Sequence, residues 1–561
     1  MKAVLILFSL FLLVAGEYAP GTPGGPWTFN ELLVVRAKLW SLMIDGRAQT
    51  VYKKIPYNER PMADELDEKW IDKGLQFFPA KLLRLSFHDC FKYTDGSGGC
   101  DGCLNWEGMN FRFPSAKAMK YKFVYDDIKK GNNNGLEFTV ALLEMIYTDK
   151  DFPYNDAPSL PESLKASGKS RADLWAYASK VAIEYSVERN NFHCEGKPDA
   201  DTWSGSYIGN SDDCQRLLDD DQCKLILNKE INFKYGPRDC IPENLETPYK
   251  ADKTETHPNP EGNGDDTLDF FKSEFNFSGQ EVVAIMGAHT LGKMTMEHSL
   301  FKYSWTSRGG HIFNNGYYRN IVNKEDWFIE AQDNNSCDRI GDADGNMPDI
   351  KWVPTMNGFT QSGGPMHWIR FHYSCPNCIN RWTSNQHLNQ TWEDCCEGKP
   401  DDKSCIPDNK DHPDEVEDIK GCEKYRFATG LDDMTINAEM GLYLKFDQVN
   451  GIPVVGEDEN CSGLKDFTME MWEKNKYKYR RAWDHGCDLN MRREPESEEP
   501  VSSYFETYAN NQTRWVEDFI PAFEKMSNNG YGNSDLYDAP SSWGNVFCRR
   551  TIGTKIECSK S

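Results

Sequence analysis

Beyond its first sixteen residues the chain has no apolar run long enough to cross a bilayer, which argues against helices that span a membrane. It also lacks a positive balance. Lys and Arg total 63 against 88 Asp and Glu, a net charge of -25 over 561 residues. Such a surface disfavours nucleic acid and anionic lipid as partners. It either favours neutral or cationic small molecules or simply keeps the protein in solution. Cysteine, by contrast, is plentiful: 18 residues, all beyond the first sixteen. The chain starts Met1-Lys2, runs apolar over residues 3–14 and closes on the small pair Ala15-Gly16. This is the pattern of a signal peptide over 1–16, cleaved near Gly16-Glu17. It implies a secreted, extracellular protein in an oxidising compartment, with up to nine disulfides. Acceptor sites for N-linked glycans occur at Asn276, Asn334, Asn389, Asn460 and Asn511.

Two stretches carry the chemistry. The first is Lys81-Leu-Leu-Arg84-Leu-Ser-Phe87-His88-Asp89-Cys90. Leu82, Leu83, Leu85 and Phe87 give a helix one apolar side, and Arg84 lies four residues before His88 on a shared face. A buried Arg without a partner is costly, so a cation paired with an imidazole on an apolar helix needs a reason to be there. The second runs from Phe277 to Gly292. Ser278 and Glu281 form an S-x-x-E capping box, Val282, Ile285 and Met286 an apolar stripe, His289 the far end, and Gly292 the helix stop.

Together these two stretches resemble the distal and proximal motifs of the plant-type haem peroxidases. The resemblance implies a mainly α fold in which two helical domains sandwich haem b, here interrupted by a Cys-rich insertion. It implies a peroxidase whose partners are hydrogen peroxide and a small organic reductant, phenolic or aromatic. In that family His88 shuttles the peroxide proton, Arg84 stabilises developing charge, and an Asn orients His88. Asn133, in Asn132-Asn133-Asn134-Gly135-Leu136, matches the Asn, with Asn132 as the alternative register. His289 is the expected axial iron ligand. A carboxylate behind it would make it more basic. Glu439 stands where the family has Asp, and Asp432 and Asp433 are rivals. Phe87 is the distal aromatic of the secreted classes. Trp305 has the proximal spacing of the ascorbate and cytochrome c peroxidases, as an electron relay or as a packed core residue.

The resemblance further suggests one or two Ca2+ ions or a monovalent cation. Asp89, Gly99 and Asp101 match a distal calcium loop, although Cys103 replaces the family's Ser ligand. Thr290, Thr306, Ile312 and Asn314 match proximal cation ligands, with Asn314 in place of Asp. A carboxylate-based manganese site and an ascorbate site are both absent: Phe77, Lys81 and His298 occupy their positions.

Along the chain, residues 17–240 read as a distal helical domain and 241–324 as the first part of the proximal domain. Residues 325–428 read as the Cys-rich insertion, 429–535 as the second part of the proximal domain, and 536–561 as a tail. Helices are expected over 32–44, from Pro79 to the distal His, over 136–147, from Arg171 to Tyr185, and over 514–526. The insertion's Cys375-Pro-Asn-Cys378 and Cys395-Cys396 suggest disulfides before zinc. A second class of function is a matrix or coat protein using the fold as a scaffold for binding. The intact Arg84, His88 and His289 favour the enzyme, and the two could coexist in an enzyme that cross-links matrix tyrosines. The sequence sets no oligomeric state.

Overall fold

A computed structural model describes residues 25–44, 46–56, 75–105, 133, 135–194, 225, 227, 230–240, 249–294 without 252 and 261, 304–306, 310, 312–322, 433–444 and 501–541 without 533. It also describes strands at 328–331, 366–370, 447–449, 452–454, 480–481, 546–550 and 556–560. The expected signal peptide, Asn132 and all but two short strands of the insertion lie outside these residues.

Helices dominate. On the distal side are α1 (Phe29–Met43), α2 (Arg47–Lys54), α3 (Phe78–Asp89), α4 (Glu137–Thr148) and α5 (Arg171–Cys194). Thr28 and Glu31 close a reciprocal capping box that starts α1 three residues earlier than its apolar spacing suggests. Pro79 sits in the first turn of α3, where its missing N–H costs nothing. Ser170 caps α5, accepting the Asp173 N–H at 3.1 Å. This helix continues past the expected end at Tyr185 to Cys194. It is buried on nearly all sides because α1, α3 and α4 pack around it, so no single apolar stripe marks its length. Its buried charges are paired: Arg171 with Glu144 at 2.8 Å, Glu184 with Arg36 at 2.7 Å, and Asp173 with Arg238 at 3.3 Å.

On the other side lie α6 (Gly264–Phe275), α7 (Gly279–Met286), α8 (Gly316–Val322), α9 (Asn437–Tyr443), α10 (Val501–Asn510) and α11 (Gln512–Met526). The Ser278–Glu281 box starts α7 as expected. The helix stops at Met286, however, and His289 rides a 3-10 turn over Gly287–Thr290. The cause is tertiary. The Tyr318 hydroxyl donates to the Val283 and Ala284 carbonyls at 2.7 and 3.0 Å, and the Trp515 indole donates to Ala284 at 3.0 Å. These are the carbonyls that the next α-helical turn would have used. Only glycine fits at 287, since a Cβ there would lie 2.5 Å from both the Trp515 indole nitrogen and the Tyr318 oxygen.

Most of the buried apolar residues fall into two large cores. One joins α1 through α5, and the other joins α6 through α11. Helix α3 borders both, giving Leu82 and Leu85 to the first and Leu83 to the second. A four-stranded antiparallel sheet is built from β1 (Phe328–Ala331), β2 (Met366–Arg370), β3 (Asp433–Ile436) and β4 (Arg480–Arg481), in the order β3-β2-β1-β4. Two of its strands come from the 325–428 stretch, and β3 leads directly into α9. Disulfides join Cys90 to Cys100, Cys103 to Cys240 and Cys548 to Cys558.

Candidate active site

The C-terminal half of α3 presents Arg84, Phe87 and His88 along the boundary of the two cores. One helical turn separates Arg84 from His88, and the guanidinium Nε donates to His88 Nε2 at 3.3 Å. On the other ring nitrogen, His88 Nδ1 lies 2.8 Å from Asn133 Oδ1. The Asn133 amide nitrogen donates at 2.9 Å both to the Asn105 carbonyl and to Glu255 Oε2, which fixes the amide's orientation. Its oxygen must therefore face His88. Nδ1 then carries the imidazole proton, and Nε2 keeps a lone pair. Burial pushes the His88 pKa well below 6.5, and the charges of Arg84 and His257 lower it further. Burial lowers Arg84 to about 10, so it remains a cation at neutral pH.

Glu255 and His257 were not legible as site residues in the sequence. They come from an extended strap, residues 254–256, hydrogen-bonded to residues 92–94 through Thr94 N–H to Thr254 and Thr256 N–H to Lys92, each 2.9 Å. In extended chain residues two apart share a face, so Glu255 and His257 both look toward α3. His257 Nε2 is 3.4 Å from Glu255 Oε2, and its ring centre is 6.0 Å from that of His88. Glu-x-His in a turn-rich stretch is the only local signal, and it does not reveal what the strap covers.

Across the boundary, His289 Nδ1 lies 2.5 Å from Glu439 Oε1, and Glu439 is fully buried. Helix α9 delivers Glu439 in its first turn. The carboxylate also accepts from the Thr435 hydroxyl at 2.9 Å, the Ile436 N–H at 3.2 Å and the Tyr317 hydroxyl at 2.8 Å. Of the rivals, Asp433 opens β3 opposite Arg370, and Asp432 lies outside the described residues. The extra methylene of Glu is thus accommodated by drawing the carboxylate back onto its own helix start. Trp305 is stacked on the His289 ring, centroids 4.0 Å apart and planes 3° apart, but it donates none of the hydrogen bonds to Glu439 described above.

These residues fit a flat tetrapyrrole. Arg84, Phe87 and His88 on one wall, and Met286, Ala288 and His289 on the other, are only partly covered although their helices sit in packed cores. With Nδ1 engaged by Glu439, His289 Nε2 is left as the iron-directed donor.

The cation candidates fit less well. Asp89 accepts the Gly102 N–H at 2.8 Å. Asp101 accepts the Cys103 N–H at 3.2 Å and the Tyr93 hydroxyl at 3.0 Å. Burial and their proximity raise Asp89 well above the usual carboxylate range, and burial takes Asp101 to about 7. Gly99 belongs to the same loop, at φ 120° against Asn529. Cys103 and Cys240 also lie near Asp101, but their sulfurs are joined to each other and offer no thiolate. On the proximal side Thr290, Ile312 and Asn314 satisfy one another at 3.4 Å, and Thr306 donates to the Thr290 carbonyl at 3.3 Å. The Asn314 amide donates to Asn190 at 3.0 Å, so neutral dipoles fill the place of the family's charged ligand.

The fold is mainly helical, with His88 and His289 carried by the elements on either side of the boundary between the two cores. Residues 155–333 match the family model described as Peroxidase. The chain is similar to mitochondrial cytochrome c peroxidase of Candida glabrata, 35% identical over 97 residues, which are 17% of this chain and 24% of that protein. It is also similar to cytosolic L-ascorbate peroxidase 2 of Oryza sativa subsp. japonica, 38% identical over 85 residues, 14% of this chain and 33% of that one. Over the matched segments the chain is thus similar to haem peroxidases. It spans only about a quarter to a third of the length of these two relatives. The family match includes His289 and Trp305 but not Arg84 and His88, which the fold brings to them.

Proposed function

We propose that the protein binds haem b between α3 and the 287–290 turn and reduces hydrogen peroxide with electrons from an organic donor. The observation that carries this reading is the fixed tautomer of His88. Nδ1–H is held by Asn133, itself clamped by Glu255, so that a lone pair on Nε2 faces the boundary. Bound haem supplies iron for heterolysis of the O–O bond and a reservoir for the two oxidising equivalents. His88 Nε2 takes the proton from the nearer peroxide oxygen and returns it to the departing one. Arg84, charged and already beside Nε2, donates to the oxygen on which negative charge grows. His289, made more basic by Glu439, would hold the iron through Nε2. Two donors each give one electron and one proton, so one peroxide becomes two waters and two donor radicals form. Phenols and aromatic amines suit such steps.

The N-terminal apolar run and the three disulfides support secretion of this enzyme, and N-terminal sequencing of exported protein, expected to begin at Glu17, tests it. The distal pair Asp89 and Asp101 is the place for one hard cation. Chelation should then lower the melting temperature, and added Ca2+ should restore it. The proximal set, already hydrogen-bonded among itself, needs none. The central reading is tested by the visible spectrum of the purified protein with haem. A Soret band that shifts on adding peroxide is expected, and its absence overturns the proposal.

A further inference from the structure

Glu439 has a partner that the histidine does not require. Tyr317, 1% exposed, donates its hydroxyl to Oε1, the same oxygen that faces His289. A buried hydroxyl must be satisfied or it destabilises the fold, and a phenylalanine would have packed here without that demand, as Phe505 does nearby. What the hydroxyl adds is redox chemistry. A phenol gives up an electron readily only when its proton can leave at the same time, which requires a base in hydrogen-bond contact. Tyr317 has that base in Glu439.

From Tyr317 a run of phenols leads outward. The Tyr317 and Tyr318 ring centres are 5.2 Å apart, Tyr318 and Tyr508 are 5.2 Å apart, and Tyr508 stacks on Tyr504 at 6.1 Å. The hydroxyl of Tyr508 donates to Asp518 Oδ2 at 2.9 Å, a second carboxylate base. Tyr318 donates to backbone carbonyls, which cannot hold a proton, so it serves as a bridge between the two phenol–carboxylate stations. Tyr504 is half-buried and ends the run on the outer side of α10. Trp305 lies nearer His289 than Tyr317 does, 4.0 against 6.3 Å between ring centres, but among the described residues Glu439 takes its hydrogen bonds from His289, Tyr317, Thr435 and Ile436.

We propose that Tyr317, Tyr318, Tyr508 and Tyr504 form a relay that carries oxidising equivalents from the haem pocket to a surface site at Tyr504, where phenolic donors too bulky for the pocket are oxidised. The relay rests on the peroxidase reading, because peroxide is its oxidant. In each turn Tyr317 gives one electron to the oxidised centre and its proton to Glu439. An electron from Tyr508, by way of Tyr318, restores the Tyr317 phenol with the proton returned from Glu439. Tyr508 meanwhile passes its own proton to Asp518. A donor at Tyr504 then supplies one electron, passed through Tyr504 to Tyr508, which takes its proton back from Asp518. The donor's own proton goes to solvent, which supplies the one taken up in the haem pocket. This leaves a donor radical, a complete set of phenols and both carboxylates ready for the next turn. Two turns account for one peroxide.

The test uses full-length, haem-loaded protein mixed with hydrogen peroxide, freeze-quenched and read by electron paramagnetic resonance. An organic radical that narrows with ring-deuterated tyrosine but not with deuterated tryptophan is expected. In Tyr508→Phe the protein-radical signal from this station should vanish. Oxidation of a polymer-bound phenol should fall at least about tenfold in kcat/KM, while a small phenol that enters the pocket is oxidised as before. Tyr504→Phe, at a partly exposed position, should lose only the polymer activity. A spectral response to peroxide with an unchanged radical in Tyr508→Phe, or with a radical sensitive only to deuterated tryptophan, overturns the relay and leaves the peroxidase reading standing. No spectral response to peroxide overturns both.

Discussion

Replacing Glu439 by Gln keeps the shape of the side chain and removes its charge. In the wild type Oε1 accepts from His289 and Tyr317, and Oε2 accepts from Thr435 and the Ile436 N–H. An amide can keep its oxygen toward His289 and Tyr317, but its NH2 then meets the Ile436 N–H. That leaves one buried donor unmatched, at about 1–3 kcal/mol. The remaining hydrogen bonds fall from charge-assisted to neutral, roughly half as strong. Removing the anion also makes the His289 ring a poorer electron donor, which disfavours ferric over ferrous iron. A hydrogen bond to a charged group contributes about 1.5–3 kcal/mol net, so halving it loses about 1 kcal/mol or slightly more. For a one-electron couple that corresponds to a rise of about 40–70 mV in the haem reduction potential. Spectroelectrochemical titration of wild type and Glu439→Gln measures this directly. An unchanged potential, with haem retained, would refute the assignment of Glu439 as the partner that tunes His289.

Other outcomes follow from the same geometry. His88→Leu should retain haem but react with peroxide about a hundredfold more slowly or worse, as stopped-flow spectra would show. Because burial and the charge of Arg84 hold His88 neutral well below 6.5, the wild-type rate should stay flat as pH falls through 6.5, with its acid limb lower still. His289→Ala should lose haem or hold it weakly, and imidazole added to the variant should restore a Soret band. Arg238→Ala should cost about 3 kcal/mol in denaturant unfolding, the lower end for a broken buried pair, because its partner Asp173 escapes by protonation. Burial already raises Asp173 to about 8, and losing Arg238 raises it further. The variant's Asp173 then holds its proton to higher pH than the wild type's, so the deficit of Arg238→Ala should narrow as pH falls toward about 8 and stay level below it, where Asp173 is protonated in both proteins.

Local order along the chain settled a large part of this protein. The capping box at Ser278 and Glu281, the four-residue step from Arg84 to His88 and the proline opening α3 act within one or two helical turns, where spacing alone determines which side chains share a face. The distal helix, the start of the proximal helix and the two histidines were legible for that reason. Where α7 ends was not, because Tyr318 and Trp515, from distant segments, take the carbonyls that would have continued it. The tautomer of His88 was out of reach as well. It depends on Asn133, 45 residues away, and on Glu255, a further 122 beyond Asn133. Glu439 stood in the sequence as one acid among three, and only the packing of α9 brought its carboxylate to His289. The tyrosines from 317 to 504 belong to two helices whose sequences specify an apolar face. That Tyr317 meets Glu439 and Tyr508 meets Asp518 is set by how α8, α9, α10 and α11 meet, because contact between remote segments depends on core packing and not on spacing within either one.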